Sequence, residues 1–105
     1  MSYNKLVRDK IPSIIEENGE IPIVRVLSDD EYKIELEKKL IEELNETLES
    51  QDNRIEEMAD MLEVMISLAK LENKTLEDII EVMNSKRNKR GAFTKKLYLS
   101  GVKHE

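Results

Sequence analysis

Apolar and polar residues alternate along most of this chain at the three- and four-residue spacing of amphipathic helices. Ser28-Asp29-Asp30-Glu31 has the form of a capping box and predicts a long helix running to about Ser50. Leu36, Leu40, Leu44 and Leu48 supply its apolar stripe. Asn53-Arg54-Ile55-Glu56 resembles a second cap, opening a helix that reaches about Leu71. That helix is apolar over more than half its circumference, through Ile55, Met58, Ala59, Met61, Leu62, Val64, Met65, Ile66, Leu68 and Ala69. So wide an apolar surface calls for several partners, a second subunit among them. Thr75-Leu76-Glu77-Asp78 predicts a third helix, ending near Arg90 with Gly91 as its stop.

Outside these three helices the signals are shorter. Residues 10–18 read as a short helix with Pro12 in its first turn and Gly19 just past its end. Residues 21–27 are rich in β-branched side chains and read as an extended segment or brief strand, with Pro22 excluding a central one. Phe93 to Val102 is an apolar-flecked tail expected to lie across the bundle or a partner subunit. Short connections favour antiparallel neighbours. The expected fold is all-α: a bundle of three main helices plus a short N-terminal helix, completed by oligomerisation, with one domain over residues 1–105.

Composition narrows the function classes. The chain has 105 residues and no cysteine, which removes disulfides, thiolate metal sites and thiol nucleophiles. No apolar run approaches the roughly 20 residues of a membrane span, and charges run through the first twenty positions. The expectation is a cytoplasmic protein with no membrane partner. Net charge is -6, which disfavours nucleic acid as the main partner. The charge is uneven, because residues 86–105 carry 7 bases and 1 acid. A basic helix end is ordinary, but an acidic body with a basic end could also hold a cation in one part and a phosphate in the other. The sole histidine, His104, reads as a tail residue.

Two acidic clusters flank the turn at Gln51-Asp52-Asn53: Glu42-Glu43-Leu44-Asn45-Glu46 before it and Glu56-Glu57-Met58-Ala59-Asp60 after it. At ~100° per residue, Glu43 falls between the directions of Tyr32 and Leu36, Glu57 between Val64 and Leu68, and Asp60 at the edge of the apolar arc. Glu56 and Glu63 point to solvent. Counted from an antiparallel turn, Glu46 stands level with Glu57 and Glu43 with Asp60. Four acids converging at an apolar margin lose hydration and repel one another unless a cation offsets them. Oxygen-only ligands suit Mg²⁺ or Mn²⁺ and suit zinc less. The alternative is a set of salt bridges to Lys38, Lys39, Arg54 or bases of the third helix. On the third helix, Lys86 and Arg90 are placed to face inward, with Lys89 solvated.

This E-E-x-x-E then E-x-x-D arrangement on consecutive helices resembles the MazG-like and phosphoribosyl-ATP pyrophosphohydrolase superfamily of all-α nucleotide pyrophosphohydrolases. The opening Tyr3-Asn4-Lys5-Leu6-Val7-Arg8-Asp9-Lys10-Ile11-Pro12 and the closing Asn84-Ser85-Lys86-Arg87-Asn88-Lys89-Arg90-Gly91-Ala92-Phe93 also look like that group. One departure is visible: ten residues separate Glu46 from Glu57, slightly fewer than is usual there. The resemblance implies a Mg²⁺-dependent enzyme that splits a nucleoside triphosphate between the α and β phosphates, leaving a monophosphate and pyrophosphate. It implies Glu43, Glu46, Glu57 and Asp60 as metal ligands, with Glu42 as a neighbouring carboxylate, alternative ligand or base. It implies Lys86 and Arg90 as phosphate contacts and Asn84 near the nucleotide, while Arg8 and Lys10 supply further cations. It also implies a homodimer or homotetramer. Two other readings stand beside it: phosphoribosyl-ATP hydrolysis in histidine biosynthesis, and a non-enzymatic helical interaction module built on the apolar face of residues 55–69.

Overall fold

The computed structural model of the protein describes residues 4–104, so Tyr3 of the opening motif lies outside the described residues. Four helices follow one another: α1 (Ile11–Glu17), α2 (Asp29–Glu49), α3 (Arg54–Leu71) and α4 (Leu76–Arg90). Two of the three expected caps form as reciprocal boxes. The Ser28 hydroxyl accepts from the Glu31 N–H while the Glu31 carboxylate takes the Ser28 N–H, and Thr75 and Asp78 repeat the pattern at α4. Arg25 adds a 2.7 Å ion pair to Glu31. With this hydrogen bond first and the Ser28 bonds next, the Glu31 pKa falls to about 2. Asn53 does not cap α3 with its side chain. The turn is held instead by Ser50, whose hydroxyl accepts from the Asn53 N–H at 3.1 Å. Gly91 ends α4 at φ 84° and ψ 178°, a conformation only glycine adopts readily.

α2 and α3 form an antiparallel hairpin that carries nearly all the helix–helix packing. Its interface differs from the leucine stripe read from the sequence. Leu36 is 2 % exposed and Val64 8 %, and beside them Glu43 and Thr47 are buried, whereas Leu44 and Leu48 are exposed. Steps of four drift by ~40° each, so Leu36 and Leu48 lie ~120° apart and cannot meet one straight neighbour. The series Leu36, Glu43, Ser50 repeats every seven residues and stays on one line. Ile34, Ile41, Leu44 and Leu48 therefore form a second stripe facing away from α3. Ile55, Met58, Leu62 and Met65 do the same on the far side of α3.

The closed three-helix bundle is not formed within one chain. α4 touches α3 lightly and has no helix–helix contact with α2, and no residue of α4 is buried. The molecule measures 70 × 34 × 21 Å with a radius of gyration of 18.7 Å, against ~13 Å for a compact chain of this length. The strand over 21–27 is absent as well: the described residues hold no strand, and Ile23 is 99 % exposed in an unpaired extended segment. Nor does the tail cross the chain's own helices, because Phe93 is 98 % exposed and Tyr98 and Leu99 stand equally free. Among the described residues no helix is long and apolar enough to cross a membrane.

Leu36→Ala removes the most buried apolar side chain of the hairpin and should lower unfolding free energy by about 2–5 kcal/mol. Thr75→Ala, which removes a cap, should cost about 0.5–2 kcal/mol. Urea unfolding of the two variants checks the order; a larger loss from Thr75→Ala would contradict this account of where the packing lies.

Candidate functional site: a carboxylate nest between two helices

The seven-residue repeat that buries Leu36 also carries Glu43 into the α2–α3 interface. Only 6 % of Glu43 is exposed. Its main-chain carbonyl accepts from the Thr47 hydroxyl at 2.8 Å, a bond that packs Thr47 beside it. Across the interface α3 presents Glu57 and Asp60, and one oxygen from each of Glu43, Glu57 and Asp60 lies within 4.8 Å of the others. A second trio, Glu42, Glu43 and Glu46, meets the same limit, so Glu43 belongs to both. Of the four acids expected to converge, Glu43, Glu57 and Asp60 share one trio, while Glu46 joins Glu43 in the other.

Charge in the nest is unbalanced. Five carboxylates meet two cations. Lys39 places its ammonium 3.4 Å from Glu42 Oε2 and 3.8 Å from Glu43 Oε1. Arg8, on the segment before α1, donates to Asp60 Oδ1 at 2.7 Å. Glu43 Oε2 and Glu57 Oε2 are shut off from solvent with no hydrogen-bond partner. Burial first, and then the adjacent Glu46 carboxylate, push the Glu43 pKa up to about 7, with Lys39 offsetting part of the effect. The Glu57 pKa rises for the same two reasons in the same order, with Asp60 and Glu56 adding to it. A carboxyl oxygen buried without a donor is costly. Two such oxygens, one on Glu43 and one on Glu57, lie within this group of acids.

Salt bridges do exist here, but they do not close the charge. Lys38 pairs with Glu35 at 3.3 Å, away from the nest, and Arg54 makes no ion pair among the described residues. Lys39 was visible only as a generic salt-bridge partner. Its position four residues before Glu43 and three before Glu42 is the signal that it would lie over both.

Beside the nest opens a cavity of about 380 Å³, roofed by Leu6 to Lys10 and floored by Tyr32, Leu36, Lys39, Glu43, Asp60, Glu63, Val64 and Ser67. Arg8 and Lys10 thus reach the site. Glu63, expected in solvent, is exposed yet edges the cavity, as does the unanticipated Ser67. Glu56 is exposed, as expected. Asn84, Lys86 and Arg90 do not join the nest. All three are exposed on α4, which does not return to α2, so the inward orientation expected for Lys86 and Arg90 is not found within one chain. Asn84 lines a shallow depression formed by α4 alone.

The raised Glu43 pKa fixes a sign. The folded protein holds a proton on Glu43 that the unfolded chain, with a carboxyl pKa near 4.5, gives up. The resulting stability is fully present below about 4.5 and is lost as pH rises through about 7. In EDTA the melting temperature should therefore carry a component that falls over this window, and Glu43→Gln should remove it. Thermal melts from pH 4.5 to 8 check this; identical profiles for the two proteins would contradict it.

Comparison with known proteins adds one relationship. Over 50 residues the chain is 50% identical to an uncharacterized protein of Mycolicibacterium smegmatis, a match covering 48% of this chain and 50% of that one. The chain thus spans about half the length of the curated relative it matches. No protein-family model matches the chain. No solved structure matches it either.

Proposed function

We propose that the protein is a metal-dependent nucleoside triphosphate pyrophosphohydrolase, cleaving the α–β phosphoanhydride to release a nucleoside monophosphate and pyrophosphate. The observation that carries this reading is the pair of buried, partnerless oxygens on Glu43 and Glu57 within a nest of five carboxylates. The donor set is oxygen alone, which fits Mg²⁺ or Mn²⁺. Glu43, Glu46, Glu57 and Asp60 would hold the ion. An ion held there would supply neutralisation of phosphate charge and a lowered pKa for an attacking water.

The chain's own residues account for the other requirements of the reaction. Glu42 is half-buried beside Lys39, and as the carboxylate least committed to the nest it accepts the proton of the attacking water. Lys39 holds Glu42 and Glu43 in their relative orientation. Arg8 and Lys10, on the roof of the cavity, supply cations for the triphosphate. The sequence resemblance on both flanks of the carboxylate motif supports the same reaction. Exposed apolar stripes on α2 and α3 support assembly into a homodimer or homotetramer. Only a second copy could bring Lys86, Arg90 and Asn84 to the nest, since α4 does not return to it.

Those same apolar stripes favour a second reading, a helical interaction module without chemistry. One assay separates the two. With Mg²⁺, the protein should release pyrophosphate from a member of a panel of canonical, deoxy and modified triphosphates and phosphoribosyl-ATP. Glu43→Ala and Asp60→Ala should reduce release to background. Silence across the panel would leave the interaction module as the better account.

A further inference from the structure

The segment from Leu6 to Lys10 does more than roof the cavity. Among the described residues, the Arg8–Asp60 pair is the one hydrogen bond between this arm and the α2–α3 hairpin. The Arg8 carbonyl also accepts from the Ile11 N–H at 3.1 Å, so the position of Arg8 is tied to the start of α1. The arm's apolar anchorage is thin: Leu6 is half-buried and Val7 is exposed. The oxygen that Arg8 grips belongs to a carboxylate within 4.8 Å of the orphaned oxygens' own residues, Glu43 and Glu57.

We infer that Arg8 is a resident counter-ion on Asp60 that a divalent cation displaces, so that cation binding frees the arm and hands its guanidinium to the phosphates of the substrate. This rests on the cation reading of the nest. Asp60 cannot serve a close cation and a guanidinium at 2.7 Å without placing like charges side by side. The side chains of Arg8 and Asp60 are 60% and 43% exposed, which puts the pair among weak, readily exchanged ion pairs. A guanidinium's planar fork matches a phosphate as well as a carboxylate, so Arg8 has a second partner once released. Arg8 would then couple the two ligands through its own guanidinium: the cation opens the arm and the polyphosphate draws it back.

The chain has no cysteine, so Lys5→Cys and Lys70→Cys, both at exposed positions, allow a clean spin-label pair between the arm and α3. Labelled full-length protein should show a narrow distance distribution without metal. Saturating Mg²⁺ should broaden and lengthen it, and Mg²⁺ with inorganic tripolyphosphate should narrow it again. Adding Arg8→Gln should give the broad distribution from the start, with no narrowing by tripolyphosphate. Calorimetry should find Mg²⁺ bound about two- to fivefold more tightly by Arg8→Gln. A distribution unmoved by Mg²⁺ that calorimetry shows to be bound would overturn the exchange while leaving the cation site standing. No binding of Mg²⁺ or Mn²⁺ at all would overturn both.

Discussion

A carboxylate buried between two helices governs the rest of this molecule. Glu43 occupies the interface position next in line after Leu36, where an ordinary hairpin would place another leucine. An ionised carboxylate without a partner in such a place costs several kcal/mol. The chain answers in three ways at once. It raises the Glu43 pKa to about 7, it brings Lys39 within 3.8 Å, and it leaves Oε2 without a hydrogen-bond partner. The first two reduce the cost and the third leaves room for a cation. Stability is spent here on a binding site, and the hairpin correspondingly buries only two apolar side chains among the described residues.

That scarcity of core connects site to assembly. α2 and α3 bury a mixed seam of Leu36, Val64, Glu43 and Thr47 between them and leave apolar side chains such as Ile41 and Met58 exposed on their outer sides. Covering Ile41, Leu48, Met58 and Leu62 takes a second surface, and the proposed self-association would supply one without a new sequence. The detached α4 and the free tail around Phe93 are further surface of the same kind. The acids proposed as ligands all come from α2 and α3 of one chain, while the basic end of α4 stands apart from them.

What could be read from the sequence was what depends on neighbours along the chain. The capping boxes at Ser28 and Thr75 involve residues three apart, and both form. The carboxylate register depends on one short turn, and across it Glu43 meets Glu57 and Asp60, while Glu46 groups with Glu43 on its own helix. The Asn53 cap does not form because Asn53 sits at φ -116° and ψ 31°, away from the extended conformation that Ser28 and Thr75 adopt as caps. The leucine stripe failed because steps of four drift around a helix, whereas a straight interface selects steps of seven. The placement of α4, the tail and the 21–27 segment depends on long-range packing, and local pattern carries no information about it. Arg8 at Asp60 is a contact across more than fifty residues, which sequence could offer only as one cation among several.

Calorimetry of Mg²⁺ binding in two buffers of different ionisation enthalpy tests the central claim, that the nest is a cation site organised by Glu43. The ion must displace the proton that burial holds on Glu43. At pH 6 the account predicts proton release on ion binding, diminishing as pH rises above about 7 and reduced in Glu43→Gln. Binding with no proton release at pH 6, or release unchanged by Glu43→Gln, would contradict it.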